Sequence, residues 1–301
     1  MAGRFPFFEC GECGLGFLHP QPAEAELAAC YDASYYGKSR KKFLSPVESG
    51  IALLTRGKWR KLRPLVPRGT RLLDVGCGRG TLLRYARAAG VEAYGVERPS
   101  SEAHALPGIF YGDLEACQFP TGHFRLVVLW HVLEHLRDPE AALREICRIL
   151  EPGGWLTVAV PNYGGAQARA AVGRWFHLDL PRHLWHFPSA SLRLLLEKTG
   201  LQPVRCSTFS LEYDWYGTLQ SWMNRAFGDE NGLYAVLQGR SPLRAAGRFR
   251  RISIAALLAL PALASALWDG IRRQGGTLTM IAQKMPPANP EGTGLGGQRD
   301  Q

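Results

Sequence analysis

Arg71-Leu-Leu-Asp-Val-Gly-Cys-Gly-Arg-Gly80 decides the fold of this 301-residue chain. Leu72 to Val75 is a short apolar run of the kind that forms a buried parallel strand. It enters a turn carrying Gly76, Gly78 and Gly80, and Thr81 to Ala89 then reads as a helix closed by Gly90. Glycines there let the backbone turn sharply and approach a ligand, and the helix N-terminus offers free N–H groups. Two nucleotide readings compete. A dinucleotide turn wants G-x-G-x-x-G, but here the third glycine comes one residue early and Thr81 holds its place. Asp74, at the end of its own strand, would repel a pyrophosphate and attract an ammonium. That suits S-adenosylmethionine, whose aminoacyl end is cationic.

The strands that follow extend this pattern. Val91 to Glu97 reads as the next strand, and a carboxylate at its end can accept from both ribose hydroxyls. Ile109 to Leu114 is a short strand with Asp113 at its tip, placed to accept from an adenine amino group, and Leu114 beside it. Phe124 to His131 is the fourth strand, followed by Val132-Leu-Glu-His135.

On these residues the stretch from Arg71 to Asn162 resembles the class I S-adenosylmethionine-dependent methyltransferases of the small-molecule, ubiquinone-biosynthesis-like branch. LLDVGCGRG matches the first motif, Glu97 the ribose acid, GDL the adenine motif, LVVLWHVLEHL the fourth motif, and Leu150 to Pro161 the turn into the fifth strand. The likeness continues through Pro181 to Pro188 and loosens after Ser210. It implies cofactor contacts at Asp74, Gly76, Cys77, Gly78, Gly80, Glu97, Asp113, Leu114 and His131. His131 has the alternatives of shaping the methionine pocket or of simple packing.

Further along, Asp138-Pro139 opens a helix with Ala142, Leu143, Ile146, Ile149 and Leu150 at helical spacing. Trp155 to Val160, Val204 to Phe209 and Thr277 to Ala282 read as strands, and Ser189 to Thr199 as a helix. The expected fold class is α/β, a Rossmann-like, mainly parallel sheet with helices on both faces. The resemblance adds seven strands in the order 3-2-1-4-5-7-6 with an antiparallel last strand. The expected domains are an N-terminal segment to residue 44, a methyltransferase domain over 45–284 with an insertion at 211–276, and a disordered tail from 285.

Methyl transfer asks the protein to align a nucleophile and take up its proton. Neutral imidazole suits that task, which nominates His131, His135, His183 and His186, His131 fitting the methionine pocket better. His183 and His186 are the favoured bases, with a satisfied structural histidine as the alternative. Relatives that methylate quinol hydroxyls show Glu-x-x-Glu-His holding a divalent metal. His131 replaces the first carboxylate here, so magnesium is not expected. Cys10-Gly-Glu-Cys13 resembles half of a zinc ribbon, but zinc needs four ligands and only His19 and Cys30 lie near. Zinc is therefore not expected there.

The net charge of +10 raises a nucleic-acid reading, but the arginines are scattered and no RNA-binding motif appears. Nucleic acid is not an expected partner. Seven cysteines, and residues 1–20 without the pattern of a signal peptide, point to a reducing, cytoplasmic setting. Tyr31 to Lys42 reads as a loop covering the cofactor, and Ser45-Pro-Val-Glu48 as a capped helix start running to about Arg63. Glu212 to Tyr216 and Gln220 to Trp222 read as binding loops. Ile252 to Trp268, uncharged between arginines, allows two buried helices that lid the pocket, an interfacial hairpin on a membrane, or a span broken by Pro261. The function expected is methyl transfer to a small or lipid-like acceptor at oxygen. The alternative is a noncatalytic protein of the same fold that binds the cofactor.

Overall fold

The computed structural model describes residues 5–30, 45–98 and 107–285, with the backbone alone over 45–52. The expected cofactor loop at 31–42 and the tail from 286 lie outside the described residues. In chain order the elements begin with strands β1 (Phe7–Glu9) and β2 (Gly16–Leu18) and helices α1 (Glu24–Ala29) and α2 (Ser45–Leu62). Then come β3 (Arg71–Val75), α3 (Thr81–Ala88), β4 (Glu92–Glu97), β5 (Ile109–Tyr111) and β6 (Phe124–Trp130). They are followed by α4 (Pro139–Ile149), β7 (Leu150–Pro161), α5 (Ala166–Ala171), β8 (Trp185–His186), α6 (Ser189–Lys198) and β9 (Leu201–Ser207). The chain closes with α7 (Leu211–Phe227), α8 (Gly232–Leu237), α9 (Ala245–Ile271) and β10 (Thr277–Lys284).

The main sheet has seven strands in the order β5-β4-β3-β6-β7-β10-β9. Counted within that sheet, this is 3-2-1-4-5-7-6. β3, β4, β5, β6 and β7 pair in parallel, and β10 runs antiparallel between β7 and β9. Strands buried on both faces read as continuous apolar runs, and β6 shows why. Val127 and Leu129 enter one core with Phe124, Ile146 and Leu196, while Leu126 and Val128 face Trp59, Leu62, Leu72 and Leu83 on the other side. α4 is set by its cap: the Asp138 carboxylate accepts from the Ala141 N–H at 2.9 Å, and Pro139 occupies the first helical position. Its apolar stripe, Ala142, Leu143, Ile146 and Ile149, is buried as the spacing requires.

Three boundaries differ from the sequence reading. β7 starts at Leu150, because the Glu151–Gly154 turn stays in the ladder across a register shift opposite Phe124 and Leu126. β9 starts at Leu201: Pro203 is tolerated because β9 is an edge strand and the ladder is irregular there, with Val204 unmatched between Pro203 and Arg205. Glu212 to Trp222 forms no loop but the body of α7.

The largest correction concerns 252–268. It is neither two helices nor a hairpin but the middle of one continuous 27-residue helix, α9, with Pro261 inside. A proline removes one helical hydrogen bond and crowds the preceding turn. The Trp215 indole N–H donates to the Ala259 carbonyl at 2.8 Å and ties the helix to α7 just before that break. α9 packs on α7 through Ala255 and Ala262 in a cluster of its own with Leu219, Met223 and Leu233. Nor does it bury its length, since Leu257, Leu260 and Trp268 are exposed.

The chain after α9 returns to the sheet through Gly275 and Gly276. A Cβ on Gly275 would lie 1.8 Å from the Thr208 carbonyl oxygen, so the close approach there admits glycine alone. The N-terminal hairpin of β1 and β2 adds β8 to make a three-stranded sheet of its own, Gly16 facing His186 and Phe17 facing Trp185.

Candidate active site

The carboxyl ends of β3, β4 and β6 converge on one place. Asp74 is buried in β3, and the turn after it holds Gly76, Gly78 and Gly80 in the left-handed region, at φ +73°, +53° and +65°. Gly76 is obligatory, since a Cβ there would meet Val132 Cγ2 at 2.3 Å. A Cβ on Gly78 would meet nothing within 4 Å, so this part of the turn borders open space. Glu97 ends β4, and its carboxylate accepts from the Gly78 N–H at 2.6 Å and the Arg98 N–H at 3.0 Å. It therefore shapes the turn as well as facing the site. Cys77 is buried within the turn, its thiol pushed well above the usual range by burial and by Asp74 and Glu97, so it stays protonated. Asp113 stands exposed after β5 and Leu114 beside it is buried.

Two acids this close fit no anion. Burial, reinforced by Glu97, pushes the Asp74 carboxyl up to about 7, and Lys58 only partly opposes this. Such a pair calls for a cation. A ligand with an ammonium near Asp74 and a diol near Glu97 answers both groups, and the open backbone at Gly78 leaves room for it. The site thus fits S-adenosylmethionine on its own donors and charges.

Lys58 and Tyr213 belong to this place; Lys58 was not legible in the sequence, and Tyr213 lay in the stretch 212–216 read as a binding loop, without its partner being identifiable. Lys58 Nζ, from α2, sits 4.7 Å from the Trp130 ring centroid and 4.9 Å from that of Tyr213, and pairs with Glu212 at 2.9 Å. Tyr213, from α7, lies over His131 with centroids 4.0 Å apart. In the sequence Lys58 is one basic residue among several on a surface-like helix. Tyr213 reaches the site only through long-range packing.

His131 leaves β6 at φ +55°, which swings its ring across the strand end. Its Nδ1 lies 3.2 Å from Glu134 Oε1, and its Nε2 is buried with no hydrogen-bond partner. Burial, with Lys58 nearby, pulls the His131 imidazole down to about 3. Glu134 is fully buried, pushed up to about 7 mainly by that burial. The His131 ring is thus held at Nδ1 by a buried carboxyl group and keeps Nε2 without a partner.

His135, His183 and His186 gather behind this pair together with His177 and Asp179. The His135 and His183 rings meet edge to face at 4.5 Å, and His183 and His186 lie 6.1 Å apart. Each spends one ring nitrogen on a backbone carbonyl: His135 Nδ1 on Arg182 at 3.0 Å, His183 Nδ1 on His177 at 2.8 Å, and His186 Nε2 on Leu178 at 3.0 Å. Burial is the main reason all three stay neutral, pulled down to about 4, 4 and 3 respectively. His186 Nδ1 is buried without a partner, under Phe7 and Tyr163. Asp179 is held down at about 2, chiefly by His183 and Arg182, which outweigh its burial. The histidines of two separate motifs thus form one neutral, desolvated wall.

Among the described residues, Glu134, His135 and His183 bring one ligand atom each to within 4.8 Å of one another. Two imidazoles and one carboxylate do not fit magnesium, which takes oxygen ligands. At the N-terminus, the Glu12 and Cys13 amides and the Cys13 side chain hydrogen-bond to the Cys10 sulfur and hold its thiol below the ordinary value. Among the described residues no third metal-capable side chain joins Cys10 and Cys13 in such a group.

Known proteins are similar to this chain in sequence and in fold. The family model of a methyltransferase domain matches residues 51–205, just over half of the 301 residues. The ubiquinone biosynthesis O-methyltransferase of Albidiferax ferrireducens is 32% identical over 107 residues, 31% of this chain and 42% of that protein. The protein of the same name from Xanthomonas axonopodis pv. citri is 32% identical over 182 residues, 54% of this chain and 72% of its own length. The first four relatives of this kind are matched over only 42% to 64% of their length. In fold, the chain is similar to one in the Haloferax volcanii complex between the Trm112 methyltransferase activator and a methyltransferase, with TM-score 0.50, 16% identity, and coverage of 80% of this chain and 95% of that one. Strand order, glycine turn, paired acids and the matched span together identify the chain as a member of the methyltransferase-domain family, within the class I S-adenosylmethionine-dependent methyltransferases.

Proposed function

We propose that this protein binds S-adenosylmethionine on the β3–α3 turn and transfers its methyl group to a hydroxyl of a small, lipid-like acceptor. The observation that carries the first part is the buried Asp74 beside Glu97, two acids at adjacent strand ends that call for a cationic ligand. When bound there, the cofactor supplies a methyl group already activated on a sulfonium. The residues of this chain do the rest. Asp74 takes the ammonium, Glu97 the ribose, Asp113 and Leu114 the adenine, and Gly76, Cys77, Gly78 and Gly80 the backbone approach. Tyr213 and Lys58 roof the site and exclude water.

An acceptor hydroxyl becomes a nucleophile by giving up its proton. His131 Nε2, buried without a hydrogen-bond partner directly after β6, is the acceptor nitrogen we assign to that proton, with Glu134 holding the ring through Nδ1. His135, His183 and His186 supply the wall behind it, and the unpartnered Nδ1 of His186 is a second proton acceptor. Oxygen as the acceptor atom is supported by the relatives named for ubiquinone biosynthesis O-methylation. The test joins calorimetry with transfer. S-adenosylmethionine should bind in preference to NAD, and labelled methyl from it should appear on a catechol or quinol carrying an apolar tail. NAD binding more tightly refutes the cofactor assignment. Cofactor binding with no transfer to any hydroxylated acceptor favours a noncatalytic role.

A further inference from the structure

The outer face of α9 has no partner among the described residues. Phe249, Leu257, Leu260, Trp268 and Ile271 are 72%, 76%, 76%, 59% and 76% exposed, and Ile252 and Leu267 are close to half exposed. At 3.6 residues per turn all seven fall on one side of the helix and form an apolar face along it. From Phe249 to Ile271 the stripe is about 33 Å long at about 1.5 Å per residue. Charge is confined to its ends. Arg244, Arg248 and Arg250 flank the start and Arg272 and Arg273 the finish, all exposed, and the only acid within the helix is Asp269.

Length and hydropathy alone would let α9 cross a membrane. Its other face forbids this. Ala255, Ala262 and Ala266 are buried, Arg251 is buried and paired with Asp229 at 2.5 Å, and β10 follows at once as an interior strand of the sheet. Helix α9 cannot leave the domain, so its apolar stripe can only lie flat against whatever covers it. A second copy of the chain fits poorly. Stripe against stripe in either direction sets arginine-flanked ends on arginine-flanked ends, with no exposed acid on the stripe to answer them.

We infer that α9 docks this enzyme on an anionic lipid bilayer, its apolar stripe in the headgroup boundary, Trp268 at the water interface, and the terminal arginines on lipid phosphates. Such docking goes beyond the acceptor reading and does not depend on it.

Vesicle flotation of the full chain tests it without any methyl acceptor. Vesicles of equal parts phosphatidylglycerol and phosphatidylcholine should carry the protein upward, and pure phosphatidylcholine should carry at least tenfold less. Raising salt should weaken the binding, because exposed charge pairs are screened. A Leu257→Asp, Leu260→Asp variant should lose at least tenfold in partitioning while keeping its thermal midpoint and cofactor affinity. Both positions are solvent-facing, so folding should survive. An Arg244→Gln, Arg248→Gln variant should lose the preference for anionic vesicles and serves as the second arm if the first misfolds. Wild-type protein that stays at the bottom, equal binding to both vesicle types, or a dimer in light scattering that the Asp variant splits would each overturn the inference.

Discussion

The pH dependence of cofactor affinity gives the sharpest test of the site. Asp74 is held at about 7, against an ordinary value of 3.8, by burial and by Glu97. Without a ligand it therefore carries a proton over much of the range below neutrality. Its stabilising effect on the free fold is complete at acid pH and is lost as pH rises through about 7. A cationic ligand reverses the preference, because it needs the carboxylate. Binding must then expel a proton wherever the free protein holds one. At pH 5.5 the ionised fraction is about 3%, and at pH 7 about half, so affinity should rise about fifteenfold across that interval. At pH 6, about 0.9 proton should be released per ligand bound.

Titration calorimetry in two buffers of different ionisation enthalpy measures both quantities directly. His131 and His177 stay neutral throughout, since both are pulled down to about 3. Glu134 and Asp214 are also pushed up to about 7 by burial, so wild-type data alone do not isolate Asp74. Asp74→Asn isolates it. That variant should bind the cofactor roughly 10- to 150-fold more weakly at neutral pH, about 1.5–3 kcal/mol for a lost charge-assisted contact, with little pH dependence left. A wild-type affinity that is flat between pH 5.5 and 7, or an equal slope in Asp74→Asn, would refute the reasoning.

Four further outcomes are expected. His131→Ala should lower turnover by about 10²–10⁴, as for loss of a general base, with the cofactor dissociation constant within a few fold. His183→Ala and His186→Ala, assayed singly and together, test the second acceptor: turnover should fall in His186→Ala at nearly constant cofactor affinity, and full activity in both would remove them from the mechanism. Gly275→Ala should destabilise the fold by about 3 kcal/mol or more, because its Cβ meets the Thr208 carbonyl at 1.8 Å and neither backbone can retreat. Thermal unfolding reads this directly, and an unchanged midpoint would mean the α9–β10 junction is looser than described. Added magnesium should leave turnover unchanged, since Glu134, His135 and His183 present two nitrogens and one carboxylate. Activation by magnesium but not by zinc would contradict that donor argument.

The cofactor side was legible because its signals are local. An apolar strand, a glycine turn and a helix occupy one short stretch, and the structure puts Asp74 near the end of β3, Glu97 at the end of β4 and His131 directly after β6, the edge at which a parallel sheet carries its ligands. What escaped was whatever another element brings in. Lys58 looks like a solvated helix residue, yet it sits between Trp130 and Tyr213. Asp179 lies four residues before His183 without a motif to mark it, yet it stands beside that ring at 3.8 Å.

The insertion was least legible, and the reason is physical. Hydropathy reports how apolar a segment is, not which way it faces, so 252–268 read equally as core, lid or membrane element. The structure separates the faces. Small residues, Ala255, Ala262 and Ala266, turn inward where α7 comes close, while Leu257, Leu260 and Trp268 turn out. A core helix of a water-soluble protein usually shows the opposite, with bulky residues inside and small or polar ones outside. Within α7, Tyr213 lies on His131 and Trp215, two residues on, holds the Ala259 carbonyl of α9. Residues 213 and 215 face opposite sides of α7, so this one helix stands between the His131 ring and the outward helix and holds both.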